Sequence, residues 1–325
     1  MKEGKLDFDD LRKIILDNKT IKRNEVKVRN DVGEDCSIID FDDYEAIFST
    51  DPITGANENI GRLAVQINCN DIASTGGEPI AIMVTILAPT TSTLEEINRV
   101  MNEIDDEAAQ IGVEIIGGHT EVTSAVNKII ISVTVIGKNL KGKSIKTAGA
   151  KLDDDVIVTK KIGMEGTYIL ISDHEERLKK ILSKEEMDFG KSLINRISVL
   201  EEGKIGGELA VNSMHDITEG GLLGGLFEVA MASDKGFIIY NDKIPMLDVT
   251  KKVCDEFKID PLRLISSGSM LITTSNGREV IKKLNQHGIE ASIIGKIIEK
   301  GGILVDRNQE IIVEPPKRDE LFNIK

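Results

Sequence analysis

Four glycines crowd into the six residues from Gly220 to Gly225, directly after the phrase His215-Asp216-Ile217-Thr218-Glu219. The segment from Gly220 to Ala232 reads as a helix, and Asp216 with Glu219 has the spacing of a capping box at its start. Capping does not account for the glycines. Each costs ~1 kcal/mol relative to alanine inside a helix, so four cost roughly 3 to 4 kcal/mol unless a close approach compensates. Either another backbone packs tightly there, or a phosphate sits at the helix N-terminus, where unpaired N–H groups and the helix dipole favour an anion. The phosphate reading is preferred, because Asp216 and Thr218 precede the glycines at that end. A second glycine-bearing turn, Ile162 to Thr167, precedes another predicted helix. It lacks both the Gly-Lys-Ser/Thr ending of a P-loop and the GxGxxG of a Rossmann turn.

A phosphate-binding chain of this composition needs a cation. Lys and Arg number 41 against 55 Asp and Glu, for a net charge of −14. That balance excludes nucleic acid and anionic membrane as main partners, and the absence of Trp removes a common stacking platform. A polyphosphate among so many carboxylates points to Mg²⁺ between them. No apolar run approaches the ~18 residues of a membrane span, and the first ten residues lack the apolar stretch of a secretory signal. The three cysteines, Cys36, Cys69 and Cys254, suggest neither a disulfide framework nor a zinc cluster. The expectation is a reduced, cytoplasmic protein.

At 325 residues two domains are expected. After a first helix over Phe8 to Leu16 come strands at Cys36 to Phe41 and Glu45 to Thr50. A helix follows whose Ile60, Leu63, Ala64 and Ile67 share one apolar face. A strand at Ile80 to Leu87, a helix from Leu94 to Gln110, and strands at Val113 to Ile116 and Ile129 to Ile136 complete an α/β or α+β unit. The polar stretch Gly142 to Lys151 separates it from a second series. That series has strands at Val156 to Thr159, Gly236 to Tyr240, Met270 to Thr273 and Ala291 to Ile294, helices around Lys184 to Glu201 and Val249 to Phe257, and a terminal hairpin near Ile303 to Val313. The expected domains are 1–145 and 150–325. The phrases Val135-Ile136-Gly137-Lys138 and Ile293-Ile294-Gly295-Lys296 match, which duplicated topology or chance recurrence explains equally well.

Acidic residues recur where predicted elements end. Asp71 stands four residues beyond Ile67, so the apolar stripe runs into a carboxylate. Either the helix frays before Asn70 and Asp71 caps it, or Asp71 is buried and needs a metal or fixed donor. Asp51, before Pro52, and Asp35, in Gly33-Glu34-Asp35-Cys36, each read alone as turn residues. Together the three offer oxygen ligands to a hard cation, which takes one or two carboxylates and completes its shell with phosphate and water. Gly117-Gly118-His119-Thr120-Glu121 follows an apolar strand and reads either as a plain turn or as a strand-ending nest of N–H groups for an anion.

In this order the motifs resemble the aminoimidazole ribonucleotide synthetase superfamily. The likeness spans nearly the whole chain: Gly33-Glu34-Asp35-Cys36-Ser37-Ile38-Ile39, Ser49-Thr50-Asp51, Asn70-Asp71-Ile72-Ala73 with Gly76-Gly77-Glu78-Pro79, Gly117 to Glu121, and His215 to Leu222. Within the group the chain most resembles the hydrogenase-maturation carbamoyl dehydratase and its unassigned relatives, with which it shares the opening Gly4-Lys5. The resemblance implies a two-domain fold and a homodimer whose N-terminal domains pair into a β-barrel. It implies ATP and Mg²⁺, with Asp35, Asp51 and Asp71 on the metal and Asp216 on metal or phosphate. Asp51 and Asp216 would act in catalysis. Gly117, Gly118 and Thr120 would meet phosphates, with Asn70, Thr218, Gly220 and Gly221 completing the nucleotide contacts. Where members often carry an acid this chain has His119, so that metal contact either stays with His119 or passes to Glu121. The hydrogenase-maturation enzyme acts on its own C-terminal cysteine, whereas no cysteine follows Cys254 here.

The leading expectation is therefore an ATP-dependent enzyme that activates or phosphorylates a carbonyl, amide or other oxygen of a small-molecule or protein-bound acceptor. The alternatives are a thiamine-monophosphate kinase-like phosphotransferase and a non-catalytic ATP-binding partner in metalloenzyme assembly.

Overall fold

The computed structural model describes residues 4–6, 8–16, 21–29 and 33–324. Two mixed sheets divide the chain into two α/β domains. The first domain holds α1 (Phe8–Leu16), β1 (Val26–Val28), β2 (Ser37–Phe41), β3 (Tyr44–Ile53), α2 (Ile60–Ser74), β4 (Glu78–Pro89), α3 (Leu94–Ile111), β5 (Glu114–Thr123) and β6 (Ile130–Leu140). Its strands lie in the order β1-β2-β3-β6-β4-β5, antiparallel except for the parallel pair β4 and β5.

The second domain contains β7 (Asp155–Thr159), α4 (Met164–Asp173), α5 (Glu175–Leu178), α6 (Lys184–Ser192), α7 (Leu200–Glu208), β8 (Ser213–Asp216), α8 (Gly221–Ala232) and β9 (Gly236–Tyr240). It continues through α9 (Asp248–Phe257), β10 (Met270–Thr274), α10 (Gly277–Gln286), β11 (Ala291–Ile298), β12 (Gly302–Asp306) and β13 (Gln309–Ile312). The sheet order is β13-β12-β9-β11-β7-β10-β8, with β9 and β12 parallel. The matching Ile-Gly-Lys phrases fall on β6 and β11. Each of these strands lies between two antiparallel neighbours and shows a register slip beside its glycine. The extra residue is Ile80 on the neighbouring β4 in the first sheet and Ile294 on β11 itself in the second, so the two slips differ. Among the described residues no helix is long and apolar enough to cross a membrane.

α2 is the axis of the molecule. Every residue in it except Arg62 is buried, and it remains helical through Ser74, so Asp71 is a buried helical carboxylate and not a cap. One side of α2 lies on the first sheet. Its C-terminal end meets α7 so closely that a Cβ on Gly203 would stand 2.1 Å from the Ala73 carbonyl oxygen. Asn70 locks this contact: its Nδ2 donates to Ile197 O at 2.8 Å and its Oδ1 accepts from Val199 N at 2.9 Å.

Three sequence expectations are corrected. The helix expected over Lys184 to Glu201 divides into α6 and α7 around a 3-10 turn at Leu193–Arg196. β1, α5, β8 and α10 have no counterpart in the sequence reading. Gly117 and Gly118 neither end a strand nor form a nest, because β5 runs on through Thr123 with a bulge at Ile116. Gly118 is needed there for another reason: a Cβ would come within 1.9 Å of Val84 O on β4.

Candidate active site

Four elements carry acids to one region between the domains. Asp35 precedes β2, Asp51 lies on β3, Asp71 on α2, and Asp216 ends β8. Burial, then Asp216, Asp51 and Asp35, push the Asp71 carboxyl well above the usual carboxylate range, although Ser49 donates to its Oδ2 at 2.5 Å. Burial first, then Asp35 and Asp51, lift Asp216 to about 8, with His215 pulling the other way. Asp51 is raised to about 6, chiefly by burial, while Lys5 opposes the rise. Both oxygens of Asp216 are buried without a hydrogen-bond partner. Leaving a carboxylate in this state is costly unless a cation or a proton joins it.

Among the described residues no three His, Cys, Asp or Glu side chains stand close enough to hold a metal ion unaided. This donor set suits Mg²⁺, which keeps most of its shell in water and phosphate oxygens and asks the protein for one or two carboxylates. The orphaned oxygens of Asp216 are the place in the site that such an ion fits.

Behind the acids lies a charged relay. His215 is 2% exposed, with Nδ1 2.9 Å from Asp35 Oδ2 and Nε2 2.9 Å from Glu228 Oε2. Burial works against a charged ring, but the two carboxylates outweigh it and hold the imidazole well above its ordinary value. Burial would likewise raise Glu228, yet Lys5 and His215 hold it at about 2. Lys5 forms an ion pair with Glu228, and its backbone N–H donates to Glu219 Oε1 at 2.7 Å. Gly225 leaves room for the histidine, since a Cβ there would lie 3.2 Å from the ring.

Beside this group opens a cleft of about 540 Å³, lined by Lys5 and Asp51, by Thr218 and Glu219, and by Glu165, Ser267 and Asp319. Ile53, Ile169, Ile265, Leu321 and Phe322 make the rest of its wall largely apolar.

Several expected contacts lie elsewhere. The N–H of Gly220 is taken by Asp319 Oδ2 at 2.6 Å, so the chain itself supplies the anion at the start of α8. Gly221 has φ +63°, and a Cβ there would stand 2.6 Å from Leu264 O, which makes backbone packing the reason for this glycine. The capping box of Asp216 and Glu219 does not form, because the residue before the helix is Gly220 and no side chain caps it. Asn70 spends its amide on the domain contact. Gly118 shares a transverse row with Asp51 through Val133 and Val84. Three strand spacings put them about 15 Å apart. Gly117, Gly118, Thr120 and Glu121 therefore stand on an exposed edge strand, apart from the acids of the same chain, with His119 Nε2 3.2 Å from Glu121.

Sequence reasoning missed Glu228, Glu165 and Asp319 and gave His215 no role. For Glu165 a signal existed: it is the single acid among Met164 to Ile171, a helical stretch buried at every position.

Residues 33–139 match the family model of the AIR synthase related protein N-terminal domain, and residues 151–307 match that of its C-terminal domain. The chain belongs to the AIR synthase-related family. A proposed hydrogenase expression/formation protein of Methanocaldococcus jannaschii is 31% identical over 93% of this AIR synthase-related chain and 91% of its own. The carbamoyl dehydratase HypE of Rhizobium leguminosarum bv. viciae is 25% identical over 82% and 77%. The thiamine-monophosphate kinase of M. jannaschii is 27% identical over 90% and 95%. Among solved structures, HypE in a HypE–HypF complex superposes with TM-score 0.73 at 22% identity, covering 88% of this chain and 94% of that one. AaThiL complexed with AMPPCP and TMP gives 0.73 at 19% identity, covering 93% of each. HypE in complex with ATP gives 0.69 at 18% identity, covering 97% and 95%. At these identities the structures establish the fold.

Proposed function

We propose that this AIR synthase-related protein is an ATP-dependent, magnesium-requiring enzyme that transfers the γ-phosphoryl group to an oxygen of a small-molecule or protein-bound acceptor, releasing ADP. The observation that carries the reading is Asp216: two buried, unpartnered oxygens beside Asp71 and Asp51, a grouping that only added positive charge relieves. Relatives that bind ATP or AMPPCP on the same fold support it. Asp216 and Asp71 would hold the metal, with Asp51 facing it through water or phosphate and Asp35 engaged by His215. Bound Mg²⁺ would neutralise phosphate charge as it develops in transfer. The chain's own part is to orient. His215, fixed by Asp35 and Glu228, sets the position of the adjacent Asp216, and the apolar cleft wall excludes water from the acceptor.

The acceptor is taken to be external. Cys36, Cys69 and Cys254 are all buried, and none lines the cleft. Burial, with Asp71 and Asp35 adding to it, keeps the Cys36 thiol well above its ordinary value and so unreactive.

A homodimer belongs to the proposal. β5 is an exposed edge strand, and apolar Met83, Ile116 and Val122 are exposed on β4 and β5. An open edge of this kind is a template for another strand. A maturation partner, as in the HypE–HypF complex, is the second class of contact proposed.

Calorimetric titration of Mg-ATP into the wild type and Asp71→Asn tests the site. A loss of about tenfold or more in affinity is expected, as for a contact with a charged group. Equal affinity at saturating Mg²⁺, with the fold intact, would refute it. Binding without ADP release from any acceptor would leave the non-catalytic assembly role.

A further inference from the structure

Glu165 is in the first turn of α4, 2% exposed, and lines the cleft. Its Oε2 makes no well-formed hydrogen bond, and the fully buried Ser267 on the same wall is the one group that donates toward its carboxyl. The dipole of α4 favours an acid in that turn by ~0.3 to 1 kcal/mol. An exposed acid would gain as much, whereas burying a carboxylate with no cation beside it costs several times more than Ser267 returns. A local structural role therefore does not explain the residue. Its surroundings are acidic too: burial foremost, then the charges of Asp319 and Glu219, lift Glu165 to about 7 against the opposing pull of Ser267. Asp319 is itself raised to about 7, mainly by burial, despite accepting from Gly220 N and Leu321 N. Among the described residues lining the cleft Lys5 is the only cation, and it is paired with Glu228.

We propose that Glu165, with Ser267 beside it, recognises a cationic nitrogen head group on the acceptor: a primary ammonium, amidine or guanidinium carried on a short apolar body. The proposal rests on the ATP-dependent reading of this cleft and names its acceptor class. The head group donates N–H to Glu165 Oε2, within the field of Asp319 and Glu219. Ile169, Ile265 and Leu321 cover the apolar body. An anionic acceptor would meet these acids with one cation already engaged, so the same wall that attracts amines repels phosphate esters and carboxylates.

The test uses butylguanidine and butylamine, with butanol and butyrate as neutral and anionic controls. Each is titrated calorimetrically into the full chain, with and without Mg-AMPPNP. The expected result is saturable binding of the cations, about tenfold tighter than butanol, and no binding of butyrate. Glu165→Gln should abolish the preference while keeping Mg-AMPPNP affinity within about twofold, since charge is lost only at the acceptor wall. Should that variant fail to fold, Ser267→Ala must still weaken the cation measurably. Absence of cation binding by the wild type, or an undiminished preference in both variants, overturns the proposal. So does weaker Mg-AMPPNP binding by Glu165→Gln, because Glu165 would then read the nucleotide. If the wild type binds no nucleotide at all, the ATP-dependent reading fails, and cation binding by the nucleotide-free protein still decides the subsite.

Discussion

His215 Nδ1 stands 2.9 Å from Asp35 Oδ2, and this pair ties the second sheet to the segment that opens β2 of the first. The same ring reaches Glu228 on α8, so one buried imidazolium satisfies a buried and a half-buried carboxylate. His215→Leu removes it and leaves Glu228 with Lys5 alone and Asp35 with the Ser74 hydroxyl in place of the imidazolium. Breaking a buried pair from one side costs ~3 to 5 kcal/mol. Urea unfolding should register that loss, and a change below ~1 kcal/mol would mean that the ring is neutral and dispensable.

Asp216→Asn should act in the opposite direction on the ligand-free protein. It replaces an orphaned acid with a neutral group of the same shape, so the melting temperature should hold or rise while Mg-ATP affinity falls by about tenfold or more. A variant that melts lower and binds normally would make Asp216 a structural residue. Scanning fluorimetry with and without Mg-ATP reads both quantities.

Gly221→Ala should destabilise the apo protein by more than the ~1 kcal/mol of ordinary helix propensity, because it adds a methyl against Leu264 O at a positive φ. The stabilisation by nucleotide should persist. A mutant that melts normally but no longer responds to Mg-ATP would instead place a phosphate there.

The acids of the cleft fix the sign of one pH effect. Burial and its acidic neighbours hold Glu165 at about 7, above its unfolded value of 4.5, so the folded state keeps a proton that the unfolded chain releases. Its contribution is most favourable below 4.5 and is lost as pH rises to about 7. Glu165→Gln should therefore flatten stability against pH over that window, by about 3 kcal/mol at most. Unfolding curves at pH 5 and pH 8 give the comparison, and parallel wild-type and mutant profiles would contradict the assignment.

Periodicity made Asp71 legible, because the apolar stripe of α2 leads straight to it and the helix is long enough to impose its spacing. Most elements of the first domain were readable for the same reason, since α2 and α3 repeat a helical pattern and β3 and β6 alternate, whereas the three-residue β1 is too short to show a period. What could not be read was approach between distant segments. Gly118 is required by a carbonyl on β4 and Gly221 by one at Leu264, and sequence spacing carries no record of either neighbour. The glycine cluster of α8 therefore suggested phosphate where the chain had placed Asp319 and its own backbone. β8 was missed because it is only four residues long and buried throughout, which removes the alternation that marks a half-buried strand.

The contacts of His215 with Asp35 and of Asn70 with Ile197 and Val199 bolt the domains at two separate points, with α2 pressed against α7 between them. Rotation of one domain on the other would have to break both at once. The cleft is edged by Gly4 and Lys5 together with Asp319 to Phe322, and these two segments meet where Gly4 lies against the Phe322 ring. Ligand that enters by parting these segments would do so on the nanosecond-to-microsecond scale of short chain motions.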